Sequence, residues 1–208
     1  MIITGSCLGA VVAPVAAAAP TSQTATSGRI RFDDPMAMVA TAALTDLTAY
    51  TRGGGDAALL VAYVAQRDQL ATEIANRLGM DPIAMSMAWQ NADFAHQTAL
   101  MAAFTQLGVP YHRNTSKAGE GFDCSGLTTY AWGVAGTTLL RQSGSQIRNA
   151  ASRTAQTAMA GDIVYYPGHV MLWLGIDTAI VHAPYTGRDV EVDTVGKHRG
   201  LRFGNPIG

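Results

Sequence analysis

The first half of the chain carries apolar residues at helical spacing on an otherwise polar background. Asp34 followed by Pro35 predicts a helix start, and the apolar stripe behind it ends at Gly53. A second stripe begins after Asp56 and stops at Gly79. Because only a short glycine-rich segment joins these two amphipathic helices, we expect them to fold back on each other as a hairpin.

Further along the chain, short helices give way to runs typical of β-strands. Helix starts are predicted at Asp81-Pro82 and at Asp93, and a further helical stretch at about Cys124 to Val134. Beyond residue 159, short apolar runs separated by Gly and Pro predict four strands. These strands are Ile163–Tyr166, Val170–Leu174, Ala179–His182 and Val190–Val195. Helices followed by an antiparallel sheet predict an α+β fold.

The composition is that of a globular protein with a packed core, since 48% of the residues are hydrophobic and 14% are charged. The formal net charge is -1, and no long run of like charge would draw the chain to a polyanion. We therefore expect no nucleic-acid partner.

The first twenty residues carry no charged side chain, are rich in Ala and Val, and end in small residues. This pattern is typical of an export leader, so we predict a secreted or cell-wall-associated protein. The apolar run is too short to span a bilayer and is broken by Pro14. Residues 21–32 are polar and predict a linker to a helical accessory region at 33–92.

Cys124 is the only cysteine left once such a leader is removed, which excludes an internal disulfide. The sequence also lacks the clustered ligands of a zinc enzyme, and we predict neither a metal nor a cofactor. A lone cysteine is either a buried small side chain or a nucleophile served by a histidine. A Gly-rich loop gives way to a helix at Cys124, and the free N–H groups there predict a lowered thiol pKa.

Two of the five histidines are placed to serve this thiol. His169 opens one predicted strand and His182 closes the next. A turn at 175–178 would bring the two side chains near each other. One of them would then take the thiol proton while the other orients the first, which is the general arrangement of a catalytic triad.

Five segments in this order and spacing resemble the NlpC-type endopeptidase family of the bacterial cell wall, over residues 93–205. The segments are Leu107–Tyr111, Gly121–Leu127, Gly161–Val164, Gly168–Val170 and Val181–Ala183. The resemblance implies a papain-like α+β domain, preceded here by the helical hairpin. It also implies hydrolysis of peptidoglycan stem peptides at the bond between D-glutamate and diaminopimelate or lysine.

The same resemblance assigns roles to individual residues of the peptidase domain. It implies that Cys124 is the nucleophile, that His169 is the base and that His182 orients the base. It implies that Tyr111 holds the oxyanion together with the Cys124 backbone N–H.

The groove for the substrate is the second feature that the resemblance describes. It implies that Asp123 and Ser125 line the groove and that Arg141 borders it. After Tyr111 the chain departs from the pattern of many family members, because residues 112–115 replace aromatic and glycine residues. The resemblance therefore describes the rim of the groove less closely than its catalytic centre.

Two alternatives stay open at the level of sequence. In the first, the chain is a wall-binding or partner-binding module. Its helices at 33–92 would dock to another protein, or would cover the groove and keep the site latent. Alternatively, the same thiol chemistry serves amide cleavage or acyl transfer on another substrate, because a fold does not by itself determine a function.

Overall fold

The computed structural model of the chain describes residues 34–196 and 200–208. The leader predicted at 1–20 and the linker predicted at 21–32 lie outside the described residues. The helices are α1 (Pro35–Arg52), α2 (Ala57–Leu78), α3 (Pro82–Asn91), α4 (Phe94–Phe104), α5 (Cys124–Val134) and α6 (Ser143–Asn149). The strands are β1 (Ser116–Lys117), β2 (Gly121–Phe122), β3 (Ala151–Arg153), β4 (Ile163–Tyr166), β5 (His169–Trp173), β6 (Ala179–His182), β7 (Glu191–Thr194) and β8 (Arg202–Asn205).

The first two helices form the hairpin that the sequence predicts, and α1 packs along α2. The Asp34 carboxylate accepts the backbone N–H of Met36 at 2.9 Å, and Asp56 accepts that of Ala58 at 2.9 Å. Gly79 ends α2 in the left-handed region, with φ +68°. No helix in the described part of the chain is long and apolar enough to cross a membrane.

Six strands form one antiparallel sheet in the order β3-β8-β4-β5-β6-β7. β4 and β6 have the predicted bounds, and β5 and β7 differ from the prediction by one residue at each end. The predicted turn at 175–178 connects β5 to β6, where the Leu174 N–H donates to the Ala179 carbonyl at 2.9 Å. The predicted α+β fold is confirmed.

Five elements were not predicted, namely β1, β2, α6, β3 and β8. β3 and β8 pair with each other at one side of the sheet, and β8 continues onto β4. Neither strand shows the apolar alternation that identifies a strand in sequence. Gly204 in β8 lies so close to α6 that a Cβ there would be 3.0 Å from the Ile147 side chain. Both strands thus depend on partners distant in sequence.

The helices at 33–92 and the sheet share one continuous hydrophobic core. Trp89 of α3 is fully buried, and its indole N–H donates to the Leu174 carbonyl at the end of β5 at 2.8 Å. The Trp89 ring also stacks on Phe104 of α4, with 5.1 Å between ring centroids. The hairpin and α3 therefore contribute to the same packed body that carries the sheet.

We expect Trp89→Ala to lower the free energy of unfolding of the whole chain by about 3–5 kcal/mol, because it leaves a large cavity between helices and sheet. Urea unfolding followed by circular dichroism measures the change. Met87→Ala on the same helix is the matched control, since Met87 is 55% exposed, and it should change stability by less than about 0.5 kcal/mol. A separate early transition of the helices, with the sheet unaffected, would contradict a shared core.

Candidate active site

Cys124 is the first residue of α5, and Asp123 caps this helix. The Asp123 Oδ1 accepts the backbone N–H of Gly126 at 2.7 Å, so one of the free N–H groups of the first turn is satisfied by the cap. Because the cap sets where the helix starts, it also sets the position of the Cys124 side chain. The sequence prediction of a cysteine in the first turn of a helix is confirmed.

Arg141 binds the residues on both sides of Cys124 at this helix start. Its guanidinium donates to both oxygens of Asp123, at 2.9 and 2.7 Å, and to the Ser125 hydroxyl at 2.8 Å. The Asn114 N–H adds a further bond to Asp123 Oδ2 at 2.8 Å. The polar groups of Asp123 and Ser125 therefore support Cys124 from the helix start, and both residues also line the cleft.

Gly121 and Gly126 of the predicted motif lie where there is no room for a side chain. A Cβ at Gly126 would lie 2.0 Å from the Thr115 carbonyl oxygen, which itself accepts the Asp123 N–H at 3.0 Å. A Cβ at Gly121 would lie 2.3 Å from the His112 ring. The loop before α5 can approach the helix this closely only because neither position has a side chain.

Burial raises the pKa of the Cys124 thiol, and the neighbouring Asp123 charge acts in the same direction. The backbone N–H groups of Val170 and Ser125 stabilise the thiolate but do not outweigh burial. The lowered thiol pKa expected from the helix start is therefore wrong for this site. A base must remove the thiol proton, and the Val170 N–H places the start of β5 against the sulfur.

His169 and His182 meet on neighbouring strands, as the sequence predicts. His169 Nε2 lies 2.9 Å from His182 Nδ1, and His169 is buried. The contact with His182 thus engages Nε2 of His169. Burial lowers the pKa of His182 to about 4, so that this ring is neutral near pH 7.

Tyr111 and Tyr166 are both close enough to Cys124 to be affected by its charge. Burial and then the nearby Cys124 raise the pKa of each phenol. Tyr166 lies directly opposite His169 in the β4–β5 register, with 5.3 Å between ring centroids. Sequence reasoning identified Tyr111 and missed Tyr166, whose only signal was its place just before the Pro167-Gly168 turn.

An open cleft of about 610 Å³ lies over Cys124. Its lining comes from residues 111–125, from residues 141–144 and from Gly168. Arg113 supplies positive charge to its wall, whereas the charge of Arg141 is matched there by Asp123. None of the lining residues belongs to the helices at 33–92. The cleft is thus built by the loop before α5, the segment before α6 and the turn before β5.

Comparison with known proteins places this site in a family. Residues 108–199 match the model of the NlpC/P60 family. This segment belongs to the NlpC/P60 family. The match confirms the resemblance that the motifs indicated.

The curated relatives of this NlpC/P60 segment include two bacterial peptidases. A gamma-D-glutamyl-L-lysine dipeptidyl-peptidase of Bacillus cereus is 33% identical over 94 residues, which cover 41% of this chain and 28% of the relative. The peptidoglycan endopeptidase RipB of Mycobacterium tuberculosis is 36% identical over 101 residues, covering 41% of this chain and 42% of the relative. The chain thus spans less than half of the length of these two relatives.

A solved structure similar to this chain is the P60 domain of an antigen from M. avium subspecies paratuberculosis. It is 27% identical, with a TM-score of 0.48, and the match covers 55% of this chain and 96% of the other.

His96 and the Gly161-Asp162 element of the NlpC/P60 segment lie away from the cleft. His96 is fully buried, with Nε2 3.1 Å from Asp162 and Nδ1 2.9 Å from Asp93. Burial alone would lower the pKa of His96, but these two carboxylates outweigh it and raise the pKa. The contact between His96 and Asp162 thus joins α4 to the start of β4. His112 is exposed and packs over Gly121, and His198 lies outside the described residues.

One group of side chains in the NlpC/P60 segment has the composition of a metal site. His182, Glu191 and Asp193 each place one donor atom within 4.8 Å of the others. Arg188 already pairs with the Glu191 carboxylate, and Nε2 of His182 is closed off from solvent. The charges present therefore favour an ion pair over a bound cation at this position.

Gly126→Ala should destabilise the NlpC/P60 segment by at least about 2 kcal/mol and displace the nucleophile, because a methyl group meets the Thr115 carbonyl. Gly133→Ala on the same helix is the control, since its Cβ would meet nothing within 4 Å. It should be neutral or stabilising by up to about 1 kcal/mol. Thermal unfolding of both variants measures this contrast, and equal stabilities would contradict the close approach.

The low pKa of His182 makes stability depend on pH. In the unfolded chain His182 takes up its proton near pH 6.5, and in the folded chain it does so only near pH 4. The stability that the neutral His182 contributes to the fold is therefore fully present above pH 6.5. It is lost as the pH falls from about 6.5 to about 4, by roughly 3 kcal/mol. We expect the difference in free energy of unfolding between wild type and His182→Asn to change across this window. Urea unfolding at several pH values tests this, and a constant difference would contradict it.

Proposed function

We propose that the chain is a cysteine peptidase that hydrolyses the stem peptides of bacterial peptidoglycan. The observation that carries the proposal is the contact of Cys124, at the capped start of α5, with the Val170 N–H of β5. The residue before Val170 is His169, which pairs with His182. The family membership of residues 108–199 supports the same chemistry. The export leader predicted at 1–20 agrees with action at the cell wall, outside the cytoplasm.

The reaction begins with proton transfer from the Cys124 thiol to Nδ1 of His169. The thiolate then attacks the carbonyl carbon of the scissile amide, and a carbon–sulfur bond forms. His169 returns the proton to the leaving amine as the carbon–nitrogen bond breaks. A water molecule, deprotonated by His169, attacks the acyl enzyme, breaks the carbon–sulfur bond and releases the new carboxylate.

The oxyanion of both tetrahedral states is held at the start of α5. The Cys124 N–H belongs to the first turn, whose N–H groups have no acceptor within the helix. The Tyr111 hydroxyl, with its pKa raised by burial and by the sulfur, stays protonated and can donate a second hydrogen bond. A preorganised pair of donors of this kind stabilises the developing charge without rearrangement.

A stem peptide suits the cleft in both size and charge. The cleft is open, so an extended peptide can cross it. Arg113 lies in its wall and suits the free carboxylates that stem peptides carry, whereas Arg141 is paired with Asp123. The name of the Bacillus cereus relative supports a bond after D-glutamate. We therefore propose cleavage between D-glutamate and the diaminopimelate or lysine that follows it.

The helices at 33–92 act in this proposal as part of the scaffold. They share the core with the sheet, and none of their described residues lines the cleft. These two facts favour a structural role over the covering of the groove that the sequence left open. A latent state would instead need a segment that reaches Cys124.

Cys124→Ala should lower the release of muropeptide fragments by at least about 1,000-fold, because it removes the atom that forms the acyl enzyme. The assay digests purified peptidoglycan of the diaminopimelate and lysine types with the 208-residue chain, and mass spectrometry identifies each product. Fragments ending in D-glutamate are the expected products.

Cys7→Ala is the matched control, since it removes the other cysteine of the chain, and it should keep full activity. Retained hydrolysis in Cys124→Ala would refute the mechanism. Fragments cut at another bond would refute the substrate assignment while leaving the thiol chemistry intact.

A further inference from the structure

The two ring nitrogens of His182 face different partners. Nδ1 contacts His169, whereas Nε2 is buried and has no hydrogen-bond partner among the described residues. Nε2 faces the Glu191 carboxylate, with Oε1 at 3.6 Å, and Asp193 has a carboxylate oxygen within 4.8 Å of a nitrogen of the same ring. His182 and Glu191 are directly opposite each other in the β6–β7 register, so the backbone pairing places them face to face.

The contact between the two imidazoles allows two arrangements of protons. In the first, His169 Nε2–H donates to His182 Nδ1, and the His182 proton sits on Nε2. In the second, His182 Nδ1–H donates to His169 Nε2, and His182 Nε2 carries a lone pair. Only the first leaves the lone pair of His169 on Nδ1, where it can accept the thiol proton.

Glu191 distinguishes these arrangements by its charge. A lone pair on His182 Nε2 would face a carboxylate oxygen 3.6 Å away and be repelled by it. An N–H at the same place is attracted, and a small shift would turn the contact into a hydrogen bond, as catalytic contacts often tighten when substrate binds. The carboxylate therefore favours the arrangement in which His169 is a base.

The Glu191 carboxylate is itself held in place by Arg188. The guanidinium donates to both of its oxygens, through Nη2 to Oε1 and through Nε to Oε2. The backbone of the same residue is tied to the site as well, because the Arg188 carbonyl accepts the Tyr111 N–H at 2.8 Å. The position of Glu191 is thus coupled to the loop that carries Tyr111.

We propose that Glu191 is a positioning residue that selects the proton arrangement of His182 and thereby keeps His169 a base. The inference rests on the proposed function, since it assigns a fourth member to the chain that runs from Cys124 through the two histidines. Glu191 contacts neither the sulfur nor the cleft and acts only through His182.

Other charged groups around His182 have a different effect. It is faced by His169 from β5, by Glu191 and Asp193 from β7, and by Arg188 from the loop before β7. The Asp193 charge raises the pKa of His182 and the Arg188 charge lowers it. Removing Asp193 would therefore lower the pKa of His182 further, and the ring would stay neutral near pH 7.

Glu191→Met tests the proposal, with Asp193→Asn as the control that removes a carboxylate from the same strand. Nitrogen-15 NMR of the full chain with labelled histidine reads the proton position near pH 7. We expect the Nε2–H form of His182 in wild type and in the control, and a shift toward the Nδ1–H form in Glu191→Met. On peptidoglycan fragments, kcat of Glu191→Met should fall about 10- to 100-fold with KM nearly unchanged.

An unchanged proton position in Glu191→Met would overturn the proposal, and so would an equal loss of kcat in Asp193→Asn. The NMR readout needs no substrate. Lack of wild-type activity on peptidoglycan would therefore overturn the proposed function separately, while the shift of the His182 proton would still support the role of Glu191.

Discussion

The candidate site depends on the carboxylate of Asp123. Its two oxygens cap α5, hold the Asn114 backbone and bind the Arg141 guanidinium. A carboxylate buried to this extent is stable only when its lone pairs are satisfied by such donors. Helix, loop and cleft wall all meet at this one group. The position of Cys124, the next residue in the chain, therefore depends on Asp123.

Burial acts in the same sense on the Cys124 thiol and on His182, the partner of His169. It raises the pKa of Cys124 and lowers that of His182, so both groups are uncharged at rest. A neutral His182 can accept a hydrogen bond from His169, which a protonated one could not. The raised pKa therefore favours the thiol over the thiolate at Cys124 near neutral pH.

The helical region before the NlpC/P60 segment is packed into the same body as the sheet. Trp89 connects α3 to the end of β5, and the core formed by the helices is continuous with that of the strands. The boundary near residue 92 marks a change in sequence pattern and does not divide the hydrophobic core. Apolar stripes predict that a helix is covered, but they do not identify the element that covers it.

The sequence by itself determined features that depend on neighbouring residues. These are the bounds of α1 and α2, the start of α5 at Cys124, and the strands that carry His169 and His182. Caps, turns and apolar alternation act over a few residues and can be read directly. Only the tertiary structure decided the pairing of β3 with β8, the raised thiol pKa and the position of Glu191 opposite His182. Strand pairing and burial depend on residues distant in the chain, and local patterns carry no information about them.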